Sequence, residues 1–334
     1  MIGPLLQFAV CAAVIIVAGT FLTRYADAIA ELTGLGRLLI GSILLAGATS
    51  LPELTVDISA VLIPNPDLAV GDLLGSSLMN LLILAALDLT LQSRGRMLSK
   101  QAAAHALSGS QATALTAVVA LGLLTGKQFG DYAVFGVSPA IWFLIFAYVL
   151  GVRLIYLDQR IAARTGKEQG AEPPAASGIT LPMALVGFAL SAVAVLIAGP
   201  FMANAADRLA EETGLGGTFV GTTLVALSTS LPELVSSFAA VRLGAHDLAI
   251  GNVFGSNAFN MILLAPLDFV HEGPILAAVA PSHAVTAVAV ILAMLVVIMG
   301  QLYRVESRTR FIEPDAYLVI AIVLGALALV YYLR

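Results

Sequence analysis

Charge is scarce in this chain. Asp, Glu, Lys and Arg make up 11% of its 334 residues, against roughly 25% in an ordinary soluble domain. With 59% apolar residues and a mean hydropathy of +0.97, that shortage excludes a soluble globular reading. Cysteine occurs once, as Cys11 in the first apolar run, which excludes an internal disulfide and reads as a small packed residue. Histidine occurs four times, each time in a loop or at the edge of an apolar run, where a solvated or interfacial role is expected. A basic surplus is missing too: the net charge of −5, spread over short loops, speaks against nucleic-acid binding. No basic stretch precedes the first apolar run, so that run reads as a retained span and not as a cleavable signal. No Ser/His or paired-Asp arrangement suggests a hydrolase, and the chain is not expected to be an enzyme.

What is present is a duplication. Gly41–Glu53 reads G-S-I-L-L-A-G-A-T-S-L-P-E, and Gly221–Glu233 reads G-T-T-L-V-A-L-S-T-S-L-P-E. Gly71–Asn80 (G-D-L-L-G-S-S-L-M-N) is followed 180 positions later by Gly251–Asn260 (G-N-V-F-G-S-N-A-F-N). The same offset relates Phe21 to Phe201, Asp27 to Asp207 and Asp88 to Asp268 without a gap. A register held over that length marks a duplicated unit.

Apolar runs of about 20 residues, enough to cross a bilayer as helix, recur along the whole chain. Ten spans are expected, near Leu5–Tyr25, Leu38–Leu62, Leu68–Leu91, Ala112–Leu124, Tyr132–Tyr156, Leu181–Ala203, Thr218–Leu243, Leu248–Val270, His283–Leu302 and Ala316–Leu333. Five spans per half is odd, so the second copy enters the membrane in the opposite sense. The expected fold is therefore an all-α polytopic membrane protein of ten transmembrane helices in two inverted five-helix repeats. Residues 1–157 carry the first motif (41–80), residues 179–334 carry the second (221–260), and 158–178 form a polar linker. Arg94, Arg96 and Lys100, then Arg153, Arg160, Arg164 and Lys167, then Arg304, Arg308 and Arg310 all fall on one side of this topology. Lysine and arginine collect on the cytoplasmic side, which places the linker there and both termini outside, in a cell membrane.

Pro52 and Pro232 cannot donate to the carbonyls of Ala48 and Ser228, so spans 2 and 7 should be kinked or broken there. Backbone oxygens freed at that depth are tolerated where an ion, water or other polar group satisfies them. Thr49, Glu53 and Asp57 recur at helical spacing on span 2, as do Thr229, Glu233 and Ser237 on span 7. Asp72, Ser76 and Asn80 on span 3, and Asn252, Ser256 and Asn260 on span 8, form two further stripes. Gly71, Gly75, Gly251 and Gly255 beside them should let helices approach closely. A carboxylate at the bilayer centre costs at least about 2.5 kcal/mol, so Glu53 and Glu233 need protons or cations. With oxygen the only donor, Ca²⁺ and Na⁺ fit, and zinc or copper does not. Asp67 and Asp247 are expected to cap spans 3 and 8. Asp27, Asp207, Asp88 and Asp268, near span ends, are expected at the interface. Asp57, whose counterpart is Ser237, breaks the symmetry as an additional proton or cation station or a pore-facing acid.

At these residues the sequence resembles the cation/Ca²⁺ antiporter superfamily, in its compact prokaryotic Na⁺/Ca²⁺ exchanger form. Ala48–Glu53, Ser228–Glu233, Gly71–Asn80 and Gly251–Asn260 look like the two α-repeats of that family. The resemblance implies that Glu53 and Glu233 bind Ca²⁺ with oxygens of Thr49 and Thr229. It implies Na⁺ sites at Ser50, Ser76, Ser230 and Ser256 with the carbonyls of Ala46 and Ala226, and a central position near Asn80 and Asn260. Spans 1 and 6 would slide against the other eight. The chain departs from the family pattern at Asn260, where these exchangers often carry Asp, at Ser77, Ala48 and Ser228, and in having Asp72 and Asp57. The expected function is secondary active antiport of Ca²⁺ for Na⁺, both ions transported as substrates and with no cofactor. Ca²⁺/H⁺ exchange on the same fold is the nearest alternative, and a cation channel a more distant one.

Overall fold

The computed structural model describes residues 2–62, 66–91, 102–129, 132–168, 179–212, 229–302 and 314–332, which are almost wholly helical. α1 is Ile2–Thr33. A broken segment follows: α2 Arg37–Ile40, a π-helical turn at Gly41–Leu45, α3 Ala46–Thr49 and α4 Leu51–Leu62. The remaining helices are α5 Pro66–Leu91, α6 Ala102–Phe129, α7 Pro139–Glu168, α8 Leu181–Glu212, α9 Leu231–Arg242, α10 His246–Val270, α11 Ile275–Ala278, α12 His283–Leu302 and α13 Pro314–Tyr332. Among the described residues seven helices are long and apolar enough to cross a membrane, and up to eight if the bent segment is one span. The protein is an integral membrane protein. Two expected spans fall outside that set: the apolar part of α13 is the shorter stretch Ala316–Val330, and 218–228, the first part of the seventh span, lies outside the described residues.

Boundaries moved where polar side chains found partners inside the protein. The fourth span, expected over Ala112–Leu124, is the full-length helix α6. Its polar first turns misled the reading because His105 lies 2.9 Å from Asp247 Oδ1 and Gln111 Nε2 donates to the Tyr148 carbonyl at 3.2 Å. The fifth, expected from Tyr132, starts at Pro139. Before it, Phe135 has φ 56° and Gly136 φ 80°, and Val134 bridges Val137, so the chain turns sharply. Ser138 Oγ then accepts the Ile141 N–H at 3.3 Å, an N-cap, where Pro139 suits the first turn. The far end of α7 runs through Glu168, so residues 158–168 of the expected linker are helical. α1 and α8, 32 residues each, extend about 48 Å at 1.5 Å per residue, well beyond a core of about 30 Å.

Helix packing repeats between the halves. α1 packs on α9 as α8 packs on α4, α4 on α5 as α9 on α10, and α6 on α7 as α12 on α13. Likewise α10 meets α6 as α5 meets α12, and α7 as α5 meets α13. The helices carrying the polar stripes are the core: 89% of the apolar window of α10 and 67% of that of α5 is buried, against 22% for α1 and 17% for α7. The centre is tight because backbones touch. A Cβ on Gly41 would lie 2.6 Å from the Leu248 carbonyl, and one on Gly251 2.6 Å from that of Leu38. One on Gly255 would lie 2.4 Å from Ser42 Cα. The expectation of close glycine contacts thus holds at 251 and 255. Gly71 meets only the His283 ring, at 3.3 Å, and Gly75 has nothing within 4 Å among the described residues.

Candidate functional site

The break in the second span falls at Ser50, whose φ −90° and ψ 5° end α3 before Pro52. The two sides diverge by 44°. Ser230 takes nearly the same conformation, φ −80° and ψ 1°, before Pro232. Both serines lie in the sparsely allowed bridge region. Each proline thus follows a serine in the same non-helical conformation, and each sets a glutamate in the first turn of the helix that follows, α4 or α9.

The two first turns meet. Ser50 Oγ donates to Glu233 Oε1 at 3.2 Å, and Glu53 and Glu233 lie close enough for their charges to interact. Both are 1% exposed. Thr49 Oγ1 lies 3.1 Å from the carbonyls of Leu45 and Ala46 and 3.4 Å from Asn252 Oδ1, so its one proton serves three acceptors. The Ala46 carbonyl also accepts the Ser50 N–H, at 3.0 Å. Thr229, Ser230, Ser76 and Ser256 are buried. Of the hydroxyls of Thr49, Ser50 and Ser256, that of Ser50 makes the hydrogen bond to Glu233, and Ser256 Oγ has no partner among the described residues. Ala226 lies outside the described residues.

One layer further along α5 and α10, the asparagines cross between the halves. Asn80 Nδ2 donates to Asn257 Oδ1 at 3.0 Å, and Asn260 Nδ2 to Ser77 Oγ and the Leu73 carbonyl, both at 3.4 Å. Ser77 and Asn257 are equivalent positions, so the contact is the same one in each direction. The stripes at every fourth residue omitted Asn257, although it lies three residues before Asn260 and hence on the same face. Asn252 Nδ2 donates to Ser237 Oγ at 3.0 Å, and the equivalent positions hold the carboxyls of Asp72 and Asp57.

Oxygen dominates what is left unsatisfied. Glu53 Oε2, Glu233 Oε2, Ser76 Oγ, Ser230 Oγ, Ser256 Oγ, Asn80 Oδ1, Asn260 Oδ1, both Asp57 oxygens and Asp72 Oδ2 are buried without a hydrogen-bond partner among the described residues. A buried polar atom left unmade costs about 1–3 kcal/mol, more when charged. A shell this rich in orphaned oxygen is stable only around something that binds oxygen. No group of three or more His, Cys, Asp and Glu side chains is disposed to hold a metal among the described residues. A cation between Glu53 and Glu233 would draw on carboxylate, hydroxyl and amide oxygens alone, with the carboxyls of Asp57 and Asp72 among the unpartnered oxygens, which suits a hard ion.

Several acids and histidines are placed differently from expectation. His105 is 1% exposed and bound to Asp247, not solvated. His283 Nε2 lies 2.9 Å from Asp67 Oδ1, which also accepts the Ala280 N–H at 2.8 Å. Asp67 and Asp247 thus bind a histidine of the other half, and α10 has no side-chain cap. Asp268 is buried, not interfacial: its Oδ1 accepts the Ile275 N–H at the start of α11, and its Oδ2 that of Ser138. Asp27 pairs with Arg37, whose guanidinium also reaches Glu31 at 2.9 Å.

Comparison with known families matches residues 3–152 and 183–333 to the sodium/calcium exchanger protein family. The chain belongs to that family. This sodium/calcium exchanger family chain is 33% identical over 242 residues to the inner membrane protein YrbG of Escherichia coli, covering 70% of this chain and 69% of that one. It is 27% identical over 288 residues to the putative antiporter CaxA of Alkalimonas amylolytica, covering 84% and 86%. Over 79 residues, 24% of this chain and 23% of that one, it is 43% identical to the sodium/calcium exchanger MaX1 of Methanosarcina acetivorans. Its fold matches a solved structure of the sodium-calcium exchanger NCX_Mj with a TM-score of 0.70 at 18% identity, over 98% of each chain.

Proposed function

We propose that the protein is a secondary active antiporter that exchanges Ca²⁺ for Na⁺ at one mid-membrane site reached alternately from each side. The observation that carries this is the meeting of two glutamates in the first turns of equivalent helices, inside a buried shell of oxygens that lack partners. Glu53 and Glu233 would hold Ca²⁺ with Thr49 and Thr229. Ser50, Ser76, Ser230 and Ser256 would take Na⁺ with the carbonyls of Ala46 and Ala226, with Asn80 and Asn260 near the centre. One Ca²⁺ neutralises both glutamates, and Na⁺ competes for the same oxygens, so neither crosses unless the site is loaded. Family membership and the exchanger relatives support the choice of ions.

In this reading the chain forms ten helices in two inverted five-helix repeats, with both termini outside and the linker in the cytoplasm. The exchanged packing pairs support the repeats. α1 and α8 make their most extensive contact with each other and border a groove of about 570 Å³ lined by Val10, Val14, Val17, Leu190 and Ala194. Largely lipid-facing, the pair would slide against the core to open one face or the other. Ca²⁺/H⁺ exchange is the second reading, favoured by the additional carboxyls of Asp57 and Asp72 and by Asn260, which withholds a carboxylate from the central layer. Isotopic Ca²⁺ uptake into proteoliposomes, with Na⁺, K⁺ and pH gradients varied separately, tests both. Uptake driven by a Na⁺ gradient at fixed pH is expected, and uptake that follows only the pH gradient would replace Na⁺ with H⁺. Flux independent of any counter-ion gradient would indicate a channel.

A further inference from the structure

α1 and α8 run antiparallel and leave a groove between them. Gln7 Nε2, near the start of α1, donates to the Phe201 carbonyl of α8 at 2.9 Å. At the other end of the pair Gly187 lies against the Tyr25 ring. Between these two contacts is the groove of about 570 Å³, within the roughly 300–1,000 Å³ of sites that take small molecules. Ala13 and Ala194 line it together with Val10, Val17 and Leu190, whose side chains are exposed. Ser191 brings the one polar side chain of the lining, and its hydroxyl is spent on the Gly187 carbonyl at 2.8 Å. Such a lining offers an occupant dispersion and apolar burial and no hydrogen bond.

A cation stands at one end of the groove. Arg24 follows Val10 by fourteen residues and Val17 by seven, so all three share one face of α1. At 1.5 Å per residue the stripe from Val10 to Arg24 is about 21 Å long, somewhat more than half of a core of about 30 Å. It therefore spans one leaflet. Arg24 is exposed and has no ion pair or hydrogen bond among the described residues, because Arg37 takes the acids that follow it on α1, Asp27 and Glu31. Between the groove and Arg24, Phe21 stacks on Tyr25 with ring centroids 6.2 Å apart, an aromatic pair of the kind that collects at headgroup level. A free guanidinium suits a phosphate, with which it forms paired charge-assisted hydrogen bonds, and the apolar channel below it suits a hydrocarbon chain. We propose that the α1–α8 groove binds an anionic phospholipid of the leaflet in which α1 ends, its phosphate on Arg24 and one acyl chain in the groove. A bound chain would lie against the two helices that slide in the function proposed above. That consequence rests on that reading; the binding site does not.

The test is native mass spectrometry of the delipidated full chain in detergent, titrated with palmitoyl-oleoyl phosphatidylglycerol or with the phosphatidylcholine of the same chains. Wild type is expected to hold one phosphatidylglycerol more tightly than phosphatidylcholine. Arg24→Gln should weaken phosphatidylglycerol binding about fivefold, the worth of one basic residue beside an anionic lipid, and Arg24→Lys should restore most of it. Ala194→Phe, which fills the groove, should weaken both lipids, and Leu190→Ser on the exposed wall serves the same purpose should that variant not fold. Arg153→Gln, which removes an exposed cation of α7, should change nothing. Equal binding of the two lipids to wild type, or an equal loss in Arg153→Gln, overturns the proposal, because lipid would then be held without a site. Displacement of the lipid by excess inorganic phosphate also overturns it, since Arg24 would then mark an anion site with no use for the groove. So does a wild-type dimer that Ala194→Phe or Leu190→Ser dissociates, because the groove would then be covered by a second copy of the chain.

Discussion

Ser50 Oγ of the first half donates to Glu233 Oε1 of the second, 3.2 Å away, where α4 and α9 begin. A serine of one half thereby orients the acid of the other. Hydrogen bonds to charged groups are worth about 1.5–3 kcal/mol. Ser50→Ala should weaken apparent Ca²⁺ affinity by roughly 10- to 100-fold, measured as the half-saturating concentration for uptake. An unchanged value would mean that the contact does not persist in the ion-loaded protein.

Glu53→Gln and Glu233→Gln each keep size and remove one charge. Either single variant should abolish Ca²⁺ transport while the protein still elutes as a monodisperse species in detergent, because one carboxylate cannot neutralise a divalent ion at the bilayer centre. Transport at the wild-type rate in either variant would refute the assignment of the site.

How much of this was legible in the chain depends on what each residue touches. Pro52 forecast the break at Ser50 because a missing N–H is a covalent fact, and Ser230 before Pro232 takes the same conformation. The acids at helical spacing were legible for the same local reason. His105 was not: a histidine seven residues before an apolar run looks solvated until Asp247, 142 positions away, is brought against it. Asn257 and Ser77 were missed because their meaning lies in a cross-half contact that no local spacing encodes. Asp268 looked interfacial because the two groups that donate to it, the backbone N–H groups of Ser138 and Ile275, are brought there by the fold.

The glycine contacts at the centre should be unforgiving. A Cβ at Gly255 would lie 2.4 Å from Ser42 Cα and 2.5 Å from its carbonyl oxygen, both backbone atoms that cannot rotate away. Overpacking of this kind costs about 1–3 kcal/mol. Gly255→Ala should lower the apparent melting temperature in detergent, whereas Gly75→Ala, with nothing within 4 Å among the described residues, should change it far less. Equal effects at the two positions would show that the close approach is absent.

The two histidine–aspartate pairs should differ in strength because they differ in burial. The His105 side chain is 2% exposed beside Asp247 at 29%, and His283 is 17% exposed beside Asp67 at 51%. Losing the partner of a buried group costs about 1–3 kcal/mol, while an exposed pair contributes about 0–1 kcal/mol. His105→Ala should therefore destabilise the protein more than His283→Ala in thermal unfolding, and the reverse order would show that α6 is held by other contacts.

Voltage reports the net charge moved per cycle, which ion substitution does not. If three Na⁺ enter for each Ca²⁺ that leaves, one net positive charge moves inward per cycle, and 100 mV is worth about 2.3 kcal/mol per charge. At fixed Na⁺ gradients an interior made 100 mV more negative should raise the limiting Ca²⁺ ratio across the membrane by roughly 50-fold. Exchange of two H⁺ for one Ca²⁺ moves no net charge, so the ratio would not respond. The measurement uses proteoliposomes clamped with valinomycin and K⁺, with Ca²⁺ followed to its end point so that rate effects drop out. A large shift requires a third monovalent charge per cycle beyond the two that Glu53 and Glu233 balance, and it would have to be carried on the neutral oxygens around them, since Asn260 supplies no carboxylate. A flat response would mean that two monovalent charges exchange for each Ca²⁺, the charge that Glu53 and Glu233 alone balance, and the identity of the coupling ion would then follow from the separate Na⁺ and pH gradients.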